Sequence, residues 1–180
     1  MKLGLITVAA GLSLAACTMN DEGAMTPPSD GMAGASSATA RLRTAAGADV
    51  GTVTATEMNR SLRVQVDARM MPPGPHGVHV HMVGRCDGPD FTTAGGHWNP
   101  TNRQHGSQNP AGPHVGDMPN LLIGTDGSGS LSITLPGGTL AGLMDGDGSA
   151  FVVHASADDL RTDPAGNSGG RIACGVFERT

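Results

Sequence analysis

The clearest pattern in the chain is the alternating stretch Ser61-Leu62-Arg63-Val64-Gln65-Val66-Asp67-Ala68-Arg69. Successive side chains of an extended strand point to opposite faces of a sheet. One face of this stretch is therefore apolar, with Leu62, Val64, Val66 and Ala68, and the other face is polar or charged. The alternation predicts a half-buried β-strand that packs its apolar face on a core.

Other short apolar runs lie on both sides of this strand and are separated by turn residues. The chain contains 28 Gly and 12 Pro, which favour turns over long helices. The predicted strands are, in order, 40–44, 51–55, 61–69, 74–83, 120–124, 130–135, 149–154 and 171–177. Eight strands in one domain predict an all-β fold, an antiparallel barrel that is closed or flattened.

Length and charge restrict the class of protein. The chain has 180 residues and a formal net charge of −5, and this length suits one domain with a substantial core. Its only lysine is Lys2. An acidic chain without basic runs is a poor candidate for binding nucleic acid or anionic lipid. We therefore expect no nucleic-acid partner.

The N-terminal segment reads as an export signal followed by a tether. Met1–Ala16 has one lysine, then an apolar run and small residues, as a secretory signal does. Residues Leu14–Cys17 resemble a lipoprotein signal, in which Cys17 receives lipid and becomes the mature N-terminus; an ordinary export signal with an incidental cysteine is the alternative. Residues 17–37 would form a disordered tether, and the folded domain is predicted over 38–180.

Both interpretations of this signal place the protein outside the cytoplasm. Lipid on Cys17 would add a membrane tether. The prediction is a lipid-anchored protein of the periplasm or cell envelope.

Histidines are concentrated in the middle and later chain, and four of them lie on predicted strands. His79 and His81 are two residues apart, so both can reach one point on the same face. His154 ends another predicted strand. Three imidazoles fixed by a sheet, with no thiolate available, suit copper. His76 lies three residues before His79 and should point to the opposite face, so we predict a structural hydrogen bond for it.

A long segment between two predicted strands, 85–119, has no apolar periodicity and is rich in Gly, Pro, Asn and His. Loops of this length in a compact domain are usually functional or clamped. The segment carries three histidines and an aspartate, which are His97, His105, His114 and Asp117. Three imidazoles and one carboxylate form a plausible four-ligand set for zinc.

Two cysteines remain if Cys17 carries lipid. Cys86 and Cys174 form an even pair in an exported chain, which favours a disulfide, although two free thiols are the alternative. Such a bridge would tie the metal-binding loop to the last strand.

Several motifs, taken together, resemble the copper,zinc superoxide dismutases. They cover about residues 38–177 and are His76–His81, Ala94–Pro100, His105-Gly106, His114–Asp117, Val153-His154, Ala157–Leu160 and Gly170–Val176. The resemblance implies an eight-stranded Greek-key flattened barrel or sandwich with two long functional loops. It also implies dismutation of superoxide to O₂ and H₂O₂ by a copper that alternates between Cu(II) and Cu(I).

The resemblance assigns roles to particular residues. It implies that copper is bound by His79, His81, His97 and His154, and that zinc is bound by His97, His105, His114 and Asp117. His97 would bridge both metals and carry a proton in the reaction. Asp158 would be the carboxylate that links His79 to His105, and Arg171 would dock superoxide through its planar guanidinium.

Two features of the resemblance leave functional points open. Family members often carry lysines in the loop that corresponds to 155–170, whereas this chain has none there, so Arg161 could replace their attraction for superoxide only in part. Family members pair as homodimers through surfaces that differ between groups, so the sequence allows a homodimer without locating its interface. A non-catalytic copper- and zinc-binding module of the same fold is the alternative function.

Overall fold

The structure is a computed structural model that describes residues 36–180. The predicted signal peptide, Cys17 and nearly all of the predicted tether lie outside the described residues. Nine strands occur between residues 36 and 180, and they are β1 Ser37–Arg43, β2 Asp49–Met58, β3 Ser61–Ala68, β4 Gly74–His76, β5 Val78–His81, β6 Leu121–Ile123, β7 Gly129–Pro136, β8 Ala150–His154 and β9 Arg171–Arg179. A 3₁₀ helix, Thr92–Ala94, and one turn of α-helix, α1 Leu140–Leu143, complete the elements.

Seven of the strands form one antiparallel sheet in the order β5-β8-β9-β1-β2-β3-β7, and β4 pairs separately with β6. The chain crosses from β3 to β5 and from β7 to β8, so neighbours in the sheet are often distant in sequence. The sheet curls around the core as a half-barrel. The predicted all-β barrel is therefore confirmed.

The core follows the alternation read from the sequence. Leu62, Val64, Val66 and Ala68 of β3 are buried, and Val66 lies opposite Val53 of β2 in the register. Burying a side chain of this size stabilises the fold by roughly 1.5–3 kcal/mol. No helix within residues 36–180 is long and apolar enough to cross a membrane.

The histidine-rich stretch differs from its prediction as one strand, because it divides at Gly77. The Gly77 N–H donates to the Ser156 carbonyl (2.8 Å), and the Gly77 carbonyl accepts from the His154 N–H (2.8 Å). On one side of Gly77 the chain pairs with β6, and on the other it pairs with β8. The change of partner at a single residue is why nine strands replace the predicted eight.

Candidate metal centre

Three histidines reach one point because two neighbouring strands carry them. His79 and His81 lie on β5, and β5 pairs with β8, which ends at His154. All three side chains are almost fully buried. The sheet backbone, rather than a loop, fixes the relative positions of these imidazoles.

A fourth histidine joins them from the long loop. The backbone N–H of Trp98 donates to the Val80 carbonyl (2.8 Å), and the backbone N–H of Val80 donates to the Gly116 carbonyl (3.0 Å). These bonds hold the loop along β5 and bring in His97 from one segment and Asp117 from another. Single β-bridges pair His97 with His81 and Asp117 with His79.

The four histidines share one hydrogen-bonding pattern. In each ring one nitrogen has a partner and the other is buried without one. The partnered nitrogens are His79 Nε2 with Asp158 Oδ2 (2.6 Å), His81 Nδ1 with the Gly95 carbonyl (2.9 Å), His97 Nδ1 with Asp117 Oδ1 (2.8 Å) and His154 Nδ1 with the Gly169 carbonyl (3.2 Å). The buried nitrogens without a partner are His79 Nδ1, His81 Nε2, His97 Nε2 and His154 Nε2.

These partners fix the state of the rings. A carbonyl oxygen only accepts, so His81 and His154 carry their proton on Nδ1 and present a lone pair on Nε2. Burial, which disfavours the charged form, lowers the pKa of His79 to about 3, that of His81 to about 2 and that of His154 to about 4. Neutral imidazoles with inward-facing lone pairs are ready metal ligands.

A second group lies on the other side of His97. Asp117 Oδ1 is 2.8 Å from His97 Nδ1 and 3.1 Å from the Nδ1 atoms of both His105 and His114. Nitrogens of His79, His97 and His105 also lie within 4.8 Å of one another and of an Asp117 oxygen. However, His79 Nε2 is bonded to Asp158, and His79 Nδ1 belongs to the four-histidine group. His114, whose Nδ1 faces Asp117, is therefore the better third imidazole of this group. Three imidazoles and a carboxylate here could hold one metal ion.

The charges of this second group reinforce one another. Burial alone would lower the pKa of His105, but hydrogen bonds to Asp117 and Asp158 outweigh it and raise the pKa to about 9. The same bonds outweigh burial at the two carboxylates and hold the pKa of each well below its usual range. Without a metal, the group therefore holds a proton on His105 between two carboxylates.

Asp158 connects the two groups. Its Oδ2 binds His79 Nε2, and its Oδ1 is 3.1 Å from His105 Nε2. The Asn120 side chain holds the Asp158 backbone, accepting from its N–H (2.7 Å) and donating to its carbonyl (2.9 Å). At Gly166 a Cβ atom would overlap Asp158 Oδ1 and lie 2.7 Å from His105 Nε2. Sequence reasoning missed Asn120 and Gly166, because no local pattern marks either contact.

Arg171 lies at the edge of the four-histidine group. It is half-buried at the start of β9, opposite His154 in the register. Its Nη1 donates to the Phe91 carbonyl (2.6 Å) and its Nη2 to the Gly95 carbonyl (2.7 Å). Burial lowers the pKa of Arg171, and the charge of Asp90 partly opposes this.

The predicted disulfide is confirmed. Cys86 and Cys174 are bonded, with their Cα atoms 5.7 Å apart. The bond fastens the loop that holds Arg171 to the middle of β9. It also excludes the alternative of two free thiols.

His76 takes no part in either group. It is buried on β4, where Nδ1 lies 2.7 Å from the His154 carbonyl oxygen and Nε2 lies 2.9 Å from the Pro72 carbonyl oxygen. The hydrogen bond predicted for it from the strand period is present.

Comparisons with known proteins agree with this geometry. Residues 50–177 match the family described as copper/zinc superoxide dismutase. A Cu-Zn superoxide dismutase of Aquifex aeolicus is 41% identical over 140 residues, which cover 73% of this chain and 82% of the relative. A superoxide dismutase-like protein of Bacillus subtilis is 42% identical over 125 residues, which cover 66% of this chain and 64% of the relative.

A solved structure supports the same assignment. The Cu/Zn superoxide dismutase of Brucella abortus superposes with a TM-score of 0.65 at 32% identity, covering 79% of this chain and 99% of that one. The matched family region contains all four histidines, Asp117, Asp158 and Arg171. The chain therefore belongs to the copper/zinc superoxide dismutase family.

Proposed function

We propose that this protein dismutates superoxide, converting two superoxide anions and two protons to O₂ and H₂O₂, with copper and zinc as cofactors. One observation carries the proposal: four buried imidazole nitrogens without partners converge beside an anchored arginine. Buried polar atoms without partners are costly and rare. Four in one place, with their lone pairs converging, suit a metal ion.

Copper would be held by His79 Nδ1, His81 Nε2, His97 Nε2 and His154 Nε2. One ligand atom from each of these residues lies within 4.8 Å of the others. Four neutral nitrogens with no thiolate match the ligand preference of copper. The second nitrogen of each ring has a hydrogen-bond partner, such as Asp158 for His79 and the Gly169 carbonyl for His154, and these partners would keep the rings oriented.

Zinc would be held by the Nδ1 atoms of His97, His105 and His114 together with Asp117 Oδ1. This set is the three-nitrogen, one-oxygen combination that zinc accepts in tetrahedral sites. His97 offers Nδ1 to this group and Nε2 to the copper group. We therefore propose that His97 bridges the two metals.

The residues of the chain would bind the substrate and handle its protons. Copper, when bound, supplies one-electron exchange, whereas zinc has no redox chemistry. Arg171 would orient the anion, since its guanidinium is fixed by two carbonyls and always charged. Whenever its Nε2 is not bound to copper, His97 would hold a proton there and donate it to superoxide as superoxide is reduced to H₂O₂.

The test is superoxide consumption by full-length protein loaded with both metals, with metal content measured by mass spectrometry. We expect turnover in the wild type. His154→Ala removes one copper ligand and none of the proposed zinc ligands, so it should retain zinc and lose turnover. Both metals bound at one equivalent each without turnover would reject the enzyme and favour a non-catalytic metal-binding module.

Export and lipid anchoring are a second part of the proposal. The Leu14–Cys17 sequence supports lipid on Cys17, and the Cys86–Cys174 disulfide suits an oxidising compartment such as the periplasm. Mass spectrometry of the mature N-terminus should find an acylated Cys17. An unmodified N-terminus elsewhere would reject the anchor. Pairing of two copies stays a prediction of the family resemblance.

A further inference from the structure

Asp163, in the loop after β8, contacts the proposed zinc ligands although no sequence motif marks it. Its Oδ1 accepts the His105 backbone N–H at 2.6 Å. The same oxygen is 4.0 Å from His114 Nε2. One carboxylate thus faces the backbone of one proposed ligand and the ring of another, while its own side chain stays 46% exposed.

His105 and His114 belong to the zinc group alone, and the Nε2 atom of each faces a different carboxylate. His105 Nε2 is 3.1 Å from Asp158 Oδ1, and His114 Nε2 is 4.0 Å from Asp163 Oδ1. A histidine that binds a metal through Nδ1 keeps its proton on Nε2. A carboxylate opposite that N–H orients the ring and makes it a stronger ligand.

We propose that Asp163 is a positioning residue that strengthens zinc binding by fixing His105 and polarising His114. The inference rests on the zinc ligands proposed above and extends the site to a residue of the second long loop. At 4.0 Å the effect on His114 is a charge interaction rather than a hydrogen bond. The bond to His105 is the closer of the two contacts.

Docking of the two loops does not depend on Asp163 alone. The Gln108 N–H donates to the Leu160 carbonyl (2.9 Å), and the Arg161 guanidinium donates to Gln108 Oε1 (3.0 Å). Loss of the Asp163 carboxylate should therefore leave the loops in contact. Its effect on zinc would then be local.

Asp159 provides a matched control in the same loop. Its carboxylate accepts from the Arg161 and Thr162 N–H groups, the Thr162 hydroxyl and the Asn167 amide, at 2.6–2.9 Å. None of these partners is a proposed metal ligand. Asp159→Asn makes the same chemical change as Asp163→Asn without touching the zinc group.

The experiment titrates zinc into the metal-free, full-length protein against a chromophoric chelator, and records the visible absorption of Co²⁺ bound in place of zinc. We expect Asp163→Asn to weaken zinc binding by roughly two- to fivefold, the size of one partly exposed charge interaction, and to shift the Co²⁺ bands, while its amide oxygen can still accept the His105 N–H. Copper retention should not change. Asp163→Glu should recover part of the affinity.

Two results would reject the role of Asp163 but leave the proposed zinc ligands standing. One is wild-type zinc affinity and an unchanged Co²⁺ spectrum in Asp163→Asn, and the other is an equal loss in Asp159→Asn. A wild-type protein that binds neither zinc nor Co²⁺, or a His114→Ala variant that binds zinc normally, would instead reject the zinc ligands and this inference with them.

Discussion

Arg171 and His81 are hydrogen-bonded to the same atom, the carbonyl oxygen of Gly95, at 2.7 and 2.9 Å. The residue proposed to dock the substrate and one proposed copper ligand thus share a support. Gly95 belongs to the segment that the Cys86–Cys174 disulfide fastens to β9. A displacement of this segment would move the anion-binding group and the copper group together.

Arg171→Lys should lower kcat/KM for superoxide. A lysine keeps the charge, but its single ammonium cannot meet the Phe91 and Gly95 carbonyls with two nitrogens and still present a planar face to the anion. Loss of one charge-assisted hydrogen bond, ~1.5 kcal/mol, corresponds to about a tenfold fall. Pulse radiolysis of the metal-loaded protein would measure it.

Arg63→Lys is the control for this substitution. Arg63 is exposed on the outer face of β3, where Nε donates to the Ser132 hydroxyl (3.3 Å). Its replacement should leave the rate unchanged. A rate in Arg171→Lys equal to that of Arg63→Lys would contradict a docking role for the guanidinium.

Much of the fold could be predicted from local patterns. The alternation in 61–69 identifies β3 because it extends over several residues with one face buried. The division of 74–83 at Gly77 could not be predicted in this way. It depends on hydrogen bonds to Ser156 and His154, which are about 80 residues away in the chain.

The two metal groups could also be predicted only in part. Residue types and spacing point to His79, His81 and the loop histidines as ligands. The contacts that orient them, from Asn120, Asp163 and Gly166, are hydrogen bonds or close approaches between loops. Such contacts have no period in the sequence, so only the tertiary structure shows them.

Gly166→Ala should destabilise the protein and weaken the link between the two metal groups. Gly166 has a φ of +61°, and its new Cβ would overlap Asp158 Oδ1. The backbone conformation alone costs an alanine about 1–2 kcal/mol, and overpacking adds roughly 1–3 kcal/mol. Chemical denaturation of the metal-free protein would measure the free energy of unfolding.

Gly137→Ala separates the backbone cost of a positive φ from the cost of the collision with Asp158. Gly137 has a φ of +76°, but its Cβ would meet no heavy atom within 4 Å. It should therefore show the backbone cost without the collision. Equal losses in the two variants would mean that Asp158 moves aside at no cost, and the proposed tight fit around it would be wrong.

Zinc binding to the metal-free protein should release about one proton at pH 7, because a ligand must be deprotonated and the pKa of His105 is raised to about 9. Apparent affinity should rise about tenfold per pH unit up to about 9. Calorimetry in buffers of different ionisation enthalpy would count the proton. Zinc binding with no proton release, or with no pH dependence, would contradict a protonated His105.

The same proton affects stability without metal. A pKa raised above its ordinary value of 6.5 means that protonated His105 stabilises the fold fully below pH 6.5. This contribution is lost as the pH rises through about 9. The metal-free protein should therefore unfold more easily at pH 9.5 than at pH 6.5, and the zinc-loaded protein should show less of this change.

Asp90→Asn should increase the rate with superoxide at low salt. Asp90 is exposed, and its charge acts on Arg171, opposing the attraction of the guanidinium for an anion. The loop 155–170 supplies no lysine to compensate. Removing one negative charge from the approach should raise kcat/KM on the order of twofold, because charge steers anions to such sites.

Salt and a second aspartate distinguish this effect from a change in the loop. Asp90 accepts from the Thr92 N–H and hydroxyl, and Asp126 makes the same two bonds with Ser128 in the turn between β6 and β7. Asp126→Asn therefore repeats the local change away from Arg171 and should not alter the rate. Steering requires the gain in Asp90→Asn to fall as ionic strength rises; a gain that persists at high salt would mean that the substitution rearranges the carbonyls that hold Arg171.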